Sequence, residues 1–218
     1  MYLALTTYNR FDILQRSIKS LFMSLFLPDT KLVIADDCSS DVRVKTFLSD
    51  IVKSTISNLS IELILREKRL GCNQNMISTI KYCFEKSKEQ FVISIDSDTV
   101  YNSQWMIKMI EAKDSVKNDK IGMLTIYDST WHGTEKQYNN FLKTKHDLGG
   151  FSCLLNKDLF MLPQLKIEAW DWSYVNLCKS NNYLMLCTLN SYVQHIGKSG
   201  EHSDGSDGWD HAANFIGE

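Results

Sequence analysis

Prolines number two and glycines ten in this 218-residue chain, so it holds little linker material and no obvious internal boundary. Long apolar runs are missing too. The greasiest stretch, around residues 21–27, is interrupted by Ser24 and closed by Pro28, well short of the ~20 residues a membrane-spanning helix requires. No basic segment followed by an apolar one opens the chain, which argues against a secretory route. The six cysteines (Cys38, Cys72, Cys83, Cys153, Cys178 and Cys187) form no CxxC pair. They read as scattered reduced thiols of a cytoplasmic protein, not as a disulfide framework or a zinc site. Neither sign of charge is in excess, the formal balance being −2, so no global field favours nucleic acid. An anionic ligand must therefore be held locally, by a metal or by backbone amides.

What is present is ordinary for a globular domain: 44% hydrophobic and 23% charged residues. An apolar opening segment (1–7) reads as a strand, followed by a helix capped by Asp12 with Ile13, Leu14, Ile18, Leu21, Phe22 and Leu25 on its apolar face. Strand-like runs at 31–35, 61–65 and 91–95 alternate with helical patterns at 42–54 and 73–87. Such alternation predicts an α/β fold with a mainly parallel central sheet flanked by helices. In such sheets ligands bind beyond the carboxyl ends of the strands. The second half is less regular: a helix at 103–116, a strand at 122–127, a polar stretch at 128–147, a Gly149-Gly150 turn, a strand at 152–155 and a helix at 171–180. The expected organisation is one domain over 1–218, in two halves (1–100 and 101–197) followed by a flexible tail or lid (198–218).

The most informative passage is Phe91-Val-Ile-Ser-Ile-Asp96-Ser97-Asp98-Thr99. A strand running into Asp-x-Asp puts two carboxylates on one side of its end, because side chains repeat every second residue. Their repulsion becomes attraction once a divalent cation sits between them and a phosphate. The same pair could instead cap a following helix. As Asp96-Ser97-Asp98-Thr99-Val100 it also matches the nucleophile loop of aspartyl-phosphate phosphatases.

The surroundings favour one reading. Thr6-Thr7-Tyr8-Asn9-Arg10 resembles the "T-x-Y-N-R" turn of family 2 glycosyltransferases of the GT-A fold. Asp36-Asp37-Cys38-Ser39-Ser40-Asp41 resembles their "D-D-G-S-x-D" segment, with Cys38 where glycine is usual. Arg66 to Asn75 resembles the "N-x-G-x-x-x-x-N" loop, and Asp96-Ser97-Asp98 falls where their DxD belongs. Gly149-Gly150-Phe151-Ser152 resembles the loop before the acceptor-side helix, and Ala169-Trp170-Asp171-Trp172-Ser173 the segment carrying the catalytic base. The phosphatase pattern accounts for only one of these.

The resemblance implies the following roles. Thr6, Tyr8 and Arg10 hold the base and ribose, with Asp36 or Asp37 accepting from the base; one of the two aspartates is expected to cap the next helix instead. Arg66, Asn75 and Lys198 are further donor contacts, Asn75 alternatively a helix cap. Asp98, Asp96 and His195 hold Mn²⁺ or Mg²⁺ against the diphosphate, with Asp96 nearer the ribose. Asp171, with Glu168 in reserve, is the base. Gly149, Gly150, Trp170 and Trp172 face the acceptor, the tryptophans alternatively packing in the core and otherwise raising the proton affinity of Asp171. The partners implied are a nucleoside-diphosphate sugar, most simply UDP-linked, and a glycan or lipid-linked acceptor, with no nucleic acid and at most peripheral contact with a membrane, at its cytoplasmic face. The tail carries His202, His211, Asp204, Asp207 and Asp210, either a lid over bound donor or a solvated end. A non-catalytic sugar-binding module remains the third class.

Overall fold

The computed structural model describes residues 1–129, 131–198, 210–212 and 214–217. Its first half alternates as the sequence predicts: β1 (Tyr2–Thr7), α1 (Phe11–Phe22), β2 (Thr30–Asp36), α2 (Val42–Ile51), β3 (Leu59–Leu65), α3 (Cys72–Lys86) and β4 (Phe91–Asp96). Then come β5 (Thr99–Tyr101), α4 (Trp105–Asp114), β6 (Ile121–Thr125), β7 (Thr134–Gln137), β8 (Leu142–Lys145), β9 (Cys153–Asn156), the short α5 (Lys157–Phe160), α6 (Trp170–Ser180), β10 (Leu184–Thr188) and β11 (Val193–His195).

Nine strands form one sheet in the order β3-β2-β1-β4-β9-β6-β10-β8-β7, and β11 pairs with β5 in a separate ribbon. All strands of the large sheet run the same way except β9 and β8. Because side chains alternate across a strand, the sheet divides two cores. Leu3, Leu5, Leu32, Ile34, Ile93 and Ile95 point to the side covered by α1, α2 and α4. Ala4, Val33 and Val92 point to the side covered by α3, α5 and α6. The register aligns the strand ends that matter: Thr6 lies between Ala35 and Asp96, and Thr7 opposite Asp36. Two strand neighbours thus deliver the opening turn, the Asp36-Asp37 pair and the DxD to one rim.

Several expectations are corrected. Asp12 does not cap α1; the cap position is Arg10, in the left-handed region, and Asp12 falls in the first turn, where a carboxylate still complements the helix dipole. No helix follows Asp98; the chain turns into β5, whose pairing with β11 sets His195 opposite Thr99. The polar stretch 128–147 contains the β7–β8 hairpin. Its short strands at the sheet edge carry too few apolar residues to show a period. Of the tail, residues 199–209, including His202, Asp204 and Asp207, lie outside the described residues. The part beyond is packed: Ala212 bridges to Ser129 and Phe215 to Ser191, and the Ile216 amide bonds the Ser191 carbonyl. All six cysteines are free thiols; burial pushes Cys83 and Cys178 up to about 12, so neither is a thiolate near neutrality. Among the described residues no helix is long and apolar enough to cross a membrane.

Candidate active site

The rim at the carboxyl ends of β1, β2 and β4 is zipped together by short polar side chains meeting backbone amides. Asn9 and Arg10 both take the left-handed conformation to turn from β1 into α1. Asn9 then accepts through Oδ1 from the amides of Ser40 (3.0 Å) and Asp41 (3.1 Å), while its own amide donates to Ser39 Oγ (2.7 Å). Asp36 accepts from the Ser39 amide and hydroxyl. Asp37 accepts from the amides of Leu70 (2.7 Å) and Gly71 (2.9 Å). Asp41 caps α2 through the Arg43 amide. The contacts to Asp36 and Asp37 satisfy carboxylates only 1% and 3% exposed, as burial demands. They also explain why Asp, Asn and Ser crowd this stretch.

The DxD lies beside this rim. Asp98 Oδ2 stands 3.1 Å from Arg10 Nη2 and 3.3 Å from His195 Nε2. His195 Nδ1 faces the carbonyl of Asp210 at 3.1 Å, and the Asp98 carbonyl accepts from the Ile196 amide at 2.8 Å. Asp96 Oδ2 accepts from the Ser152 amide at 2.9 Å. The electrostatics split the pair. Burial, and next the charge of Asp98, push Asp96 up to about 7. Burial also acts to raise Asp98, but His195 and Arg10 outweigh it and hold its carboxyl below the usual range. For His195 burial favours the neutral ring, yet the Asp98 bond and charge prevail and its proton affinity rises. Gly197 is essential to this closeness: a Cβ there would collide with Asp98 Oδ2 and stand 2.5 Å from Arg10 Nη2.

The group fits a hard divalent cation. Asp98 and His195 present an oxygen and a nitrogen, and such ions are commonly held by one or two carboxylates plus substrate phosphates. Among the described residues no three His, Cys, Asp or Glu side chains form a closed cage. Two hydroxyls on the same rim, Thr7 Oγ1 and Ser152 Oγ, are buried with no partner among the described residues, a state worth roughly 1–3 kcal/mol to relieve.

Ser152 belongs to the loop entering β9. Ser94 Oγ donates to the Gly150 carbonyl at 3.3 Å, and a Cβ on Gly150 would stand 2.5 Å from the Trp170 ring and 3.3 Å from Asp171 Cβ. Gly150 is therefore what lets α6 seat against the loop entering β9. Asp171 lies in the first turn of α6, its Oδ1 accepting from the Trp172 amide at 2.9 Å, while Glu168 is exposed before the helix.

The structure thus brings together Thr6, Arg10, Asp96, Asp98 and His195, with Asp171 one loop away. Other expected roles change. Arg10 pairs with Asp98. Both Asp36 and Asp37 are engaged by protein amides. Asn75 is buried, its Nδ2 donating to the Ala35 carbonyl and its Oδ1 accepting from Arg66, which also bonds Ser78. Arg66 and Asn75 therefore brace α3 against β2. Trp170 is 6% exposed and packs on Phe160, whereas Trp172 is 52% exposed; the two rings diverge and do not enclose Asp171. Tyr8 is half-buried under the Arg69 guanidinium, 4.3 Å from its ring, and Lys198 is exposed. Sequence reading missed Asn9, Ser152 and Gly197. Asn9 lay inside a quoted motif; Gly197 carried no local signal, because its need arises from contact with residues far away in the chain.

A large, mostly parallel sheet flanked by helices is the architecture this chain shares with GT-A glycosyltransferases. The chain belongs to glycosyl transferase family 2, whose model matches residues 2–161. Among solved structures it is similar to S. aureus TarS 1-349 in complex with UDP-GlcNAc, at 16% identity and a TM-score of 0.66, covering 95% of this chain and 61% of that one. It is likewise similar to GalNAc-T7 with UDP, GalNAc and Mn²⁺, at 13% identity and a TM-score of 0.69, covering 94% and 44%. The chain thus spans less than two thirds of either. No curated protein sequence matches it.

Proposed function

We propose that the chain moves a sugar from a nucleoside-diphosphate donor, UDP-linked, to a hydroxyl of a glycan or lipid-linked acceptor, inverting the anomeric carbon in one displacement. The observation that carries this reading is the convergence of Arg10, Asp96, Asp98 and His195, from separate elements, at the carboxyl ends of β1 and β4. Family membership and the UDP-bound structural neighbours support it.

Asp98, His195 and Asp96 would hold Mn²⁺ or Mg²⁺, which would supply positive charge at the departing diphosphate. Thr6 and Tyr8 line the path to the nucleotide, and the unpartnered hydroxyls of Thr7 and Ser152 are available to it. Arg10, beside Asp98, would meet a phosphate of the donor, as would Lys198. An acceptor hydroxyl attacks the anomeric carbon as the bond to the diphosphate oxygen breaks; its proton passes to Asp171, because an alcohol is a poor nucleophile unless a base takes the proton in the transition state. Glu168 is the reserve, but its exposure before α6 favours Asp171. A phospho-enzyme at Asp96 gains no support: that carboxylate is buried and tied to the Ser152 amide. The reading carries a cytoplasmic location with at most peripheral membrane contact.

Thermal unfolding with a panel of nucleotides tests it. UDP should raise the melting temperature only with Mn²⁺ or Mg²⁺, and Asp98→Ala should abolish that rise and cut sugar transfer by roughly 100-fold or more. Equal responses to all nucleotides, or a response indifferent to metal, would refute it.

A further inference from the structure

The β7–β8 hairpin carries an arrangement that the donor chemistry does not use. Thr134 pairs with Lys145 at the open end of the hairpin; two residues outward on each strand, His132 and Asp147 face one another as cross-strand neighbours do. His132 Nδ1 meets Asp147 Oδ1 at 2.5 Å. Burial acts to raise the Asp147 carboxyl, but hydrogen bonds from His132 and His146 outweigh it and hold it below the usual range. A carboxylate accepting Nδ1–H fixes the imidazole tautomer and leaves the Nε2 lone pair as a hydrogen-bond acceptor.

The loop that presents this ring is anchored with equal care. The His132 carbonyl accepts from Lys145 Nζ at 2.5 Å, and that lysine, its side chain 1% exposed, also pairs with Asp128 at 2.8 Å. Lys143 pairs with the other oxygen of Asp128. On the open side, the His132 ring lies 6.3 Å from the half-exposed Trp172 ring, next to Asp171. Gly149 lies against that nitrogen, where a Cβ would stand 3.3 Å from Nε2, and the His132 side chain keeps 17% of its exposure.

We propose that His132 is an acceptor-binding residue, its Nε2 taking a hydrogen bond from a hydroxyl of the acceptor sugar whose apolar ring face lies on Trp172, and that Asp147 is its positioning residue. An indole face beside a directed lone pair matches a pyranose, which offers C–H on its faces and O–H at its rim. The inference rests on the transfer reading and deepens it: the acceptor's terminal unit is a carbohydrate.

The test uses the full chain labelled with 5-fluorotryptophan, loaded with UDP and Mn²⁺, and titrated with methyl glycosides of glucose, galactose and N-acetylglucosamine. The Trp172 fluorine resonance, assigned with Trp172→Phe, should move with at least one glycoside. His132→Ala and Asp147→Asn should each weaken that response by about tenfold, a hydrogen bond's worth. His132→Gln, whose amide reaches the position of Nε2, should restore part of it, and Gly149→Ala should weaken it by crowding Nε2. The melting-temperature rise with UDP and Mn²⁺ should persist in all four variants. If the parent shows that rise but no glycoside moves the resonance, or if both His132→Ala and Asp147→Asn bind like the parent, the proposal is overturned while the donor reading stands. A parent that ignores UDP and Mn²⁺ sinks the transfer reading first, and this one with it.

Discussion

The two ends of the sheet hold their sites by different means. At the donor rim, carboxylates and amides of Asn9, Asp36, Asp37 and Asp96 are met by backbone N–H groups from neighbouring loops. At the acceptor edge, side chains meet side chains: Asp128 with Lys143 and Lys145, and Asp147 with His132 and His146. Backbone amides are fixed once strand register is fixed, so the donor rim needs only short polar residues at strand ends. The hairpin at the sheet edge has no such template and relies on buried charge, which stabilises only while every partner is present.

The largest effect that separates the two ends should come from Lys145→Met. It leaves Asp128 with Lys143 alone and frees the His132 carbonyl; the expected loss is about 3 kcal/mol, or roughly 6–12 °C in melting temperature for a chain of this size. The shift with UDP and Mn²⁺ should survive in the variant. Loss of that shift would show the two ends to be one cooperative unit. Gly197→Ala should do the reverse. Its methyl would displace Arg10 from Asp98 at a cost of about 1–3 kcal/mol, and calorimetry should find UDP binding impaired while the acceptor edge is unaffected. Cys38→Gly should sharpen the donor side. Cys38 sits at φ 62°, a conformation that a side chain resists, so the glycine variant should gain about 0.5–1 kcal/mol in denaturant unfolding. The smallest effect concerns Asp147. Its carboxyl is depressed in the folded state, so its contribution is whole above the ordinary carboxylate value and is lost as pH falls through the folded one. Asp147→Asn should therefore lower stability slightly at neutrality and flatten the fall below roughly pH 4, so that variant and parent converge in acid.

The same contrast explains what could be read from the chain. The alternation through β4, and the residues Asp36, Asp37, Asp96 and Asp98, were legible because strand ends demand those types next to one another. Their duties were less so: the sequence shows that Asp36 and Asp37 need donors, not that protein amides supply them to both. Trp170 and Trp172 are two residues apart, yet helical geometry sends one inward and the other out. The hairpin stayed hidden because its strands are short and polar. The His132–Asp147 pair stayed hidden because neither residue carries a local mark; it exists only through the hairpin's register. His195 was found through the resemblance, whereas the ribbon that delivers it to Asp98 was not.

The central claim is that Asp98 and His195 grip a divalent cation against a nucleoside diphosphate. Electron paramagnetic resonance of Mn²⁺ with UDP and protein carrying ¹⁵N-labelled histidine tests it most directly. The account requires immobilised Mn²⁺ that appears only with UDP, shows coupling to imidazole nitrogen, and loses that coupling in His195→Ala. A spectrum of freely tumbling aqueous Mn²⁺ in the presence of both protein and UDP would contradict it.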